Sequence, residues 1–250
     1  MPAIAVTGDS GSGKSTSYIP NKEIPIKGLH PRETVIINVS KKPLPGRKTD
    51  KFYNLSTGVN GKTKDEKILD IADQINNQKI RQFRTDNPAR IVTILRTIDK
   101  FCPQILNIVT DDSQYMQGLM VMRRLQEQGW GKYNDVAEAG FGPVDAAMNL
   151  KRQDLMVFFL YHADISEKTG DRKIKTAGKA VDQYITMDGL FTVNLYTEVD
   201  FDGVKGRTRY SFRTNTRGGD SCKSPFGMFD ELLIPNDLGY VRDKYLEYYE

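Results

Sequence analysis

The chain has 250 residues, of which 38% are hydrophobic and 27% are charged, and its formal net charge is +4. This length suits one large domain or two small ones, and the mildly basic balance permits a nucleic-acid partner without requiring one. The two cysteines, Cys102 and Cys222, have no metal-ligand spacing, which favours a reduced intracellular setting. No apolar run approaches the roughly 20 residues that span a membrane, and the first residues show no secretory pattern, so we expect no membrane association.

The most informative stretch follows the first predicted strand, residues 3–7. Residues 8–16 match the phosphate-binding pattern G-x-x-x-x-G-K-[ST] at every fixed position. In this pattern the glycines let backbone N–H groups point at phosphate oxygens, Lys14 reaches the β- and γ-phosphates, and the Ser15 hydroxyl binds Mg²⁺. A helix is expected to begin near Gly13, and a glycine-rich flexible loop is the alternative. The predicted nucleotide-binding residues are Gly8, Asp9, Ser10, Gly11, Ser12, Gly13, Lys14, Ser15 and Thr16.

Strands and helices alternate between this loop and residue 104. The helix after the loop is expected to be short because Pro20 interrupts it. Apolar residues predict a buried strand over 34–39, and apolar stripes predict helices over 65–78 and from Asn87-Pro88 onward. A basic loop, residues 40–48, follows the strand; it is either a solvated connection or a contact for phosphate or nucleic acid.

A second apolar run, residues 105–110, ends in Asp111 and Asp112. In phosphate-loop NTPases an acidic residue at such a position lies beside the loop and holds Mg²⁺. Asp111 ends the apolar run most naturally, and Asp112 then takes the place of a water-activating base. The other option makes Asp112 the Mg²⁺ residue. Neighbouring strand residues point to opposite faces, so the two carboxylates share one role only where the strand ends. Capping of the next helix is the alternative for either aspartate.

Helices are predicted over residues 116–128 and 144–152, and the continuous apolar run 155–161 predicts a third buried parallel strand. His162 follows this strand, where a polar residue faces the γ-phosphate in many such NTPases; a hydrogen-bonded histidine at a strand end is the alternative. Residues 165–180 are expected to form a basic loop, either solvated or suited to the phosphates of single-stranded DNA. The candidate DNA-binding residues are Arg172, Lys173, Lys175 and Lys179.

The last part of the chain predicts a hairpin and a closing helix. Residues 190–199 and 208–214 resemble two strands with Asp202-Gly203 near the turn. The helix is expected to include Leu238, Val241 and Tyr245.

This order of elements resembles the core of RecA-type ATPases, and in particular the small phage ATP-binding proteins related to RecA. The resemblance implies an α/β fold, a RecA-like P-loop NTPase with a mainly parallel central sheet flanked by helices and a C-terminal β-hairpin extension. It also implies one ATPase domain, with its core over about residues 1–164, the basic loop over 165–180, and the hairpin and closing helix over 185–250. The motifs that carry the resemblance are the phosphate loop, Asp111-Asp112-Ser113-Gln114-Tyr115, His162-Ala163-Asp164, Thr176-Ala177-Gly178-Lys179, Lys223-Ser224-Pro225-Phe226-Gly227-Met228-Phe229 and Asn236-Asp237-Leu238.

The resemblance further implies an ATPase that uses ATP and Mg²⁺ and acts with single-stranded DNA in phage recombination, annealing or replication, in the host cytoplasm. A single-strand-binding protein is an implied partner. Self-assembly into a ring or filament is implied because such cores place ATP between subunits, and Lys223 or Arg217 of a neighbouring subunit would then reach the γ-phosphate. The implied catalytic residues are Lys14, Asp111, Asp112 and His162, and the implied metal site is formed by Ser15, Asp111 and Asp112.

One departure from RecA bears on hydrolysis. RecA carries its base, a glutamate, after the second strand, whereas Ser40-Lys41-Lys42 stands at that place here. Efficient hydrolysis would therefore depend on Asp112. Two other functions stay open: a small-molecule kinase in which the basic loop is a lid, and a nucleotide-gated binding module with little hydrolysis.

Overall fold

The fold is described from a computed structural model, which covers residues 3–21, 24, 26–56, 58–129, 131–165, 170–177, 185–203 and 206–249, with residue 50 described in its backbone only. The strands are β1 (Ala3–Gly8), β2 (Thr34–Asn38), β3 (Gln82–Arg84), β4 (Asn107–Asp111), β5 (Met156–Ile165), β6 (Arg172–Ile174), β7 (Val193–Asp202), β8 (Arg207–Arg213) and β9 (Leu233–Pro235). The α-helices are α1 (Lys64–Asn76), α2 (Pro88–Phe101), α3 (Tyr115–Arg123), α4 (Gly131–Met148) and α5 (Leu238–Tyr249).

The strands form a mainly parallel sheet in the order β3-β2-β4-β5-β1-β7-β8-β9, and β6 pairs with β5 outside this path. Strand β1 runs parallel to both β5 and β7, while β2 runs parallel to β3 and β4. Among the described strands, antiparallel pairing joins β5 to β6, β7 to β8 and β8 to β9. The predicted fold class, a mainly parallel sheet flanked by helices with a C-terminal hairpin, is confirmed.

The central strands are buried on both sides, and their apolar side chains therefore project from both faces of the sheet. Along β1, Ala3 and Ala5 belong to one apolar cluster and Ile4 and Val6 to the other. The first cluster contains the buried stripes of α1 and α2, and the second contains the inner face of α5. The apolar stripes predicted for the two early helices are therefore core, and none of the helices in the described residues is long and apolar enough to cross a membrane.

Local sequence accounts for where the early helices begin. Thr63 caps α1 in a reciprocal arrangement, since its hydroxyl accepts from the Glu66 N–H while the Glu66 carboxylate accepts from the Thr63 N–H. Asn87 caps α2, and Pro88 occupies its first turn, where the missing N–H costs nothing.

Four predicted elements differ from the structure in extent or in kind. The segment after the phosphate loop forms consecutive turns, with Ser17 N–H bonded to the Gly13 and Lys14 carbonyls, and no α-helix begins there. Helix α3 ends at Arg123, before residue 128. Helix α4 spans Gly131–Met148, although its glycines and proline argue against a helix; a Cβ at Gly140 would lie 2.4 Å from the Gln117 side chain, so the glycine permits close packing of α4 on α3. The predicted loop 165–180 contains strand β6 within its described part.

The C-terminal segment is fixed to the residues that follow the phosphate loop. The Asp237 carboxylate accepts from the backbone N–H groups of Lys27, Gly28, Gly239 and Tyr240. The N–H of Leu238 donates to the Ser17 carbonyl at 2.9 Å. The first turn of α5 therefore lies directly against Ser17, Lys27 and Gly28.

Candidate functional site

A cleft of about 870 Å³ opens at the carboxyl ends of the parallel strands. This is the edge at which open α/β sheets bind their ligands. One side of the cleft carries the phosphate loop and the polar ends of β2, β4 and β5, and the other side carries the start of β8 and the residues after β9. The lining includes residues 10–16, Asn38, Ser40, Lys42, Asp111, Asp112, His162, Arg207, Thr208, Arg209, Tyr210 and Asn236.

Lys14 is folded back onto its own loop. Its ammonium donates to the carbonyl oxygens of Gly8 at 2.8 Å and Asp9 at 2.7 Å, and the residue is only 5% exposed. Burial lowers the pKa of Lys14, although the nearby carboxylates of Asp112 and Asp111 oppose this effect. A cation held in this way is available to an anion that enters the loop.

Asp111 joins the phosphate loop to the end of β4. Its carboxylate accepts from the Ser15 hydroxyl at 3.0 Å and from the Tyr18 hydroxyl at 2.9 Å, one bond to each oxygen. Burial and the neighbouring charge of Asp112 raise the pKa of Asp111 to about 6. Tyr18 is fully buried and was not singled out from the sequence, because 93 residues separate it from its partner.

The backbone brings both aspartates to the same cleft. Strand β4 ends at Asp111, and Asp112 has a left-handed backbone with φ of 60°. The strand rule that would separate the two side chains therefore no longer applies at this step. Asp112 Oδ1 lies 3.2 Å from His162 Nε2, and Oδ2 lies 3.6 Å from Lys42 Nζ. Burial favours the neutral acid, but hydrogen bonds from His162 and Ser40 and the charge of Lys42 lower the pKa of Asp112 to about 2.

His162 lies beside the phosphate loop because its position on β5 pairs with Gly8 on β1. Its backbone N–H donates to the Gln114 side chain at 3.2 Å, and its ring lies edge-on to the Tyr115 ring with the centroids 5.9 Å apart. The structure thus places all four predicted catalytic residues, including Lys14 and both aspartates, around one cleft.

The sequence predicted no role at the site for the far side of the cleft, although Asn236 belongs to one of the motifs that carry the resemblance. Asn236 donates its Nδ2 to the Gly13 carbonyl at 3.0 Å, and Tyr210 packs so closely that a Cβ at Gly13 would lie 3.0 Å from its ring. Gly13 also has φ of 87°, so only glycine suits this position. Thr197 on β7 donates to the Ser12 hydroxyl at 2.7 Å. The C-terminal hairpin therefore forms part of the site.

The remaining candidates lie around the cleft or away from it. Arg172 on β6 has its guanidinium 3.9 Å from the Asp9 carboxylate, and Lys175 donates its backbone N–H to the His162 carbonyl at 2.9 Å. Lys173 is exposed, and Lys179 falls outside the described residues. Arg217 is exposed and Lys223 pairs through its backbone with Asn194; neither is among the described residues that line the cleft. Their predicted action on a neighbouring subunit stays a prediction.

Comparison with known proteins assigns neither a family nor a function to this chain. No protein-family model and no curated protein matches the sequence. Among solved structures, a KaiC-like protein from the hyperthermophilic archaeon Pyrococcus horikoshii OT3 is similar with a TM-score of 0.44 and 9% identity, over 87% of this chain and 80% of that chain. The function proposed below therefore rests on the residues of the cleft.

Proposed function

We propose that the protein binds ATP with Mg²⁺ and hydrolyses it, and that single-stranded DNA controls this turnover. The observation that carries the proposal is the convergence of Lys14, Ser15 and Asp111 in one cleft, with Ser15 bonded to Asp111 at 3.0 Å. A complete phosphate-loop sequence alone predicts a nucleotide site. The hydroxyl–carboxylate contact adds the pair of groups that such a site uses for its metal.

The residues present fit Mg²⁺. This cation prefers hard oxygen ligands and is commonly bound through one or two carboxylates together with the phosphates of a substrate. Ser15 and Asp111 supply a hydroxyl and a carboxylate oxygen on adjoining elements, and they would hold the ion. When bound, Mg²⁺ would neutralise charge on the phosphate oxygens.

The protein residues divide the remaining tasks. Lys14 would contact phosphate oxygens, in place of the loop carbonyls that it contacts here. Asp112 would orient the attacking water, and His162 would hold the Asp112 carboxylate in place. Because phosphoryl transfer has a loose transition state, positioning and charge neutralisation supply most of the catalysis.

The proposed link to single-stranded DNA uses the basic segment beside the cleft. Arg172 approaches the phosphate loop through Asp9, and Lys175 is bonded to the backbone of His162. A polyanion bound to these residues would therefore act on the phosphate loop through Asp9 and on His162 through the backbone of Lys175. Action in phage recombination, annealing or replication, a single-strand-binding partner and self-assembly belong to the same proposal.

The test is ATP turnover with and without single-stranded DNA, with Lys14→Ala as the blank. We expect DNA to raise turnover, and the double variant Arg172→Ala/Lys175→Ala to lose both this stimulation and DNA affinity at a fixed salt concentration. Each lost phosphate contact should also reduce the salt dependence of binding by about one unit of slope. Lys151→Ala is the matched control, because Lys151 precedes β5 and lies near the amino ends of the parallel strands, away from the cleft. Unchanged DNA affinity in the double variant would contradict the assignment of this segment.

A nucleotide-gated binding module is the second candidate, favoured by one observation. Lysines follow β2 at the place where RecA has the glutamate that is its base. This candidate predicts tight ATP binding with turnover no higher than that of Lys14→Ala, whether or not DNA is present.

Tyr18→Phe tests the proposed metal site. The variant removes one of the two hydrogen bonds that orient Asp111 and leaves the buried ring in place. Groups that orient a metal ligand typically contribute 10- to 100-fold in metal affinity, so we expect the Mg²⁺ concentration for half-maximal ATP binding to rise about tenfold. Titration of Mg²⁺ against a fluorescent ATP analogue measures this without turnover. Tyr53→Phe, at another fully buried tyrosine, is the control and should leave the Mg²⁺ titration unchanged.

A further inference from the structure

We propose that Lys42 is a catalytic cation that acts within its own chain, contacting the γ-phosphate during hydrolysis. The inference rests on the proposed ATPase function and gives a role to the segment that departs from RecA. It requires no basic residue from a neighbouring subunit.

The turn after β2 is built to direct Lys42 into the cleft. Asn38, the last residue of β2, is 2% exposed and donates its Nδ2 to the Lys42 carbonyl at 2.6 Å. Its Oδ1 accepts from the Lys41 backbone N–H at 2.8 Å, and Lys41 has φ of 62°. One buried amide side chain therefore fixes the backbone of both lysines.

The two adjacent lysines have different surroundings. Lys41 Nζ lies 2.7 Å from the buried carboxylate of Asp86, which also binds Arg123. Lys42 lines the cleft, with its Nζ 3.6 Å from Asp112 and 5.3 Å from the centre of the Tyr115 ring. Its side chain is 64% exposed, so it can leave Asp112 when an anion enters. Lys41 is thus a natural control for its neighbour.

Two ammonium groups approach the same part of the cleft. Lys14 and Lys42 both line it, and the positive charge of Lys42 contributes to lowering the pKa of Lys14. The aspartates offset this repulsion here, and a triphosphate would do so more fully. The place between the lysines is suited to an anion with several oxygens, as a terminal phosphoryl group is.

The geometry also connects Lys42 to the attacking water. His162 binds Oδ1 of Asp112, whereas Lys42 faces Oδ2. Transfer of Lys42 to the phosphate would open the side of Oδ2 that Lys42 faces, where a water could donate a hydrogen bond while His162 still holds Oδ1. The water oxygen then bonds to the γ-phosphorus as the bond to the β-phosphate oxygen breaks. The products are ADP and inorganic phosphate, and the water proton passes by way of Asp112 to solvent.

The experiment compares Lys42→Ala, Lys42→Arg and Lys41→Ala in two measurements on the full chain. Loss of one preorganised charge contact costs about 10²- to 10³-fold in turnover, and we expect Lys42→Ala to show the lower figure because the side chain is solvated. Lys42→Arg should recover part of the rate, and Lys41→Ala should keep it. Because Lys42 acts within its own chain, turnover per chain should not change on dilution. If a neighbouring chain supplied the cation, turnover per chain would fall as the chains separate.

The second measurement is binding of ATP and ADP. Loss of a contact to the γ-phosphate should reduce the preference for ATP over ADP about tenfold in Lys42→Ala and leave it unchanged in Lys41→Ala. An unchanged preference in Lys42→Ala, or an equal loss in both variants, would overturn the role of Lys42. If the wild-type chain binds ATP without turnover, the ATPase function fails and this preference alone decides whether Lys42 contacts the γ-phosphate.

Discussion

Replacing Asp112 with asparagine is expected to lower ATP turnover by a factor between about 10² and 10⁴, the range that a positioned acid–base group contributes. Asparagine keeps the size of the side chain and an oxygen for His162, which lies 3.2 Å from Oδ1. It removes the negative charge that, in the proposed mechanism, would orient the water and take its proton. ATP binding should remain, because Lys14, Ser15 and Asp111 are untouched. Turnover and equilibrium binding of ATP, measured on the same preparation, separate the two effects.

Asp164→Asn is the matched control. Asp164 lies two residues beyond His162 on β5 and is not among the described residues that line the cleft, so the control should keep wild-type turnover. The same experiment distinguishes the two aspartates. If Asp112→Asn keeps its turnover and instead loses Mg²⁺-dependent ATP binding, Asp112 is the metal residue and the assignment of Asp111 is wrong.

The residues that bear the proposed chemistry were accessible from sequence because each belongs to a local pattern. The phosphate loop follows directly from nine consecutive residues, and Asp111 follows from an apolar run that ends in a carboxylate. Both patterns also predict where the residues lie, because a strand end beside a glycine turn places polar groups at the carboxyl edge of the sheet. The shared orientation of Asp111 and Asp112 could be stated only as a condition, because it depends on one left-handed residue.

The contacts that complete the site join residues distant in sequence. Asn236 bonds to a loop residue 223 positions earlier, and Tyr18 bonds to Asp111 across 93 positions. No periodicity or motif links such pairs. Helix α4 was obscured for a related reason: Gly140 and Pro143 disfavour a helix locally, and tertiary packing overrides them. Strands β3, β6 and β9 have three residues each, too few to show an apolar alternation.

Replacing Asp237 with alanine is expected to lower the free energy of unfolding by about 3 kcal/mol, because a lost helix cap and unpaired buried N–H groups act together. Asp237 is 4% exposed, and its carboxylate accepts from four backbone N–H groups on two segments. The change should also loosen the packing of α5 on the residues that follow the phosphate loop, so ATP affinity should fall as well. Urea unfolding followed by circular dichroism gives the first value, and binding of an ATP analogue gives the second.

A graded series makes this prediction specific. Asp237→Asn keeps Oδ1, which accepts from Gly28, Gly239 and Tyr240, and loses the charge and the acceptor for Lys27, so its loss of stability should be smaller than that of the alanine variant. Asp243→Ala, on the same helix, removes an exposed ion pair with Lys27 and should cost at most about 1 kcal/mol. Equal losses of stability in Asp237→Ala and Asp243→Ala would mean that the Asp237 carboxylate does not fix α5 to Lys27 and Gly28. A loss of stability in Asp237→Ala without a change in ATP affinity would mean that this packing stabilises the fold without shaping the nucleotide site.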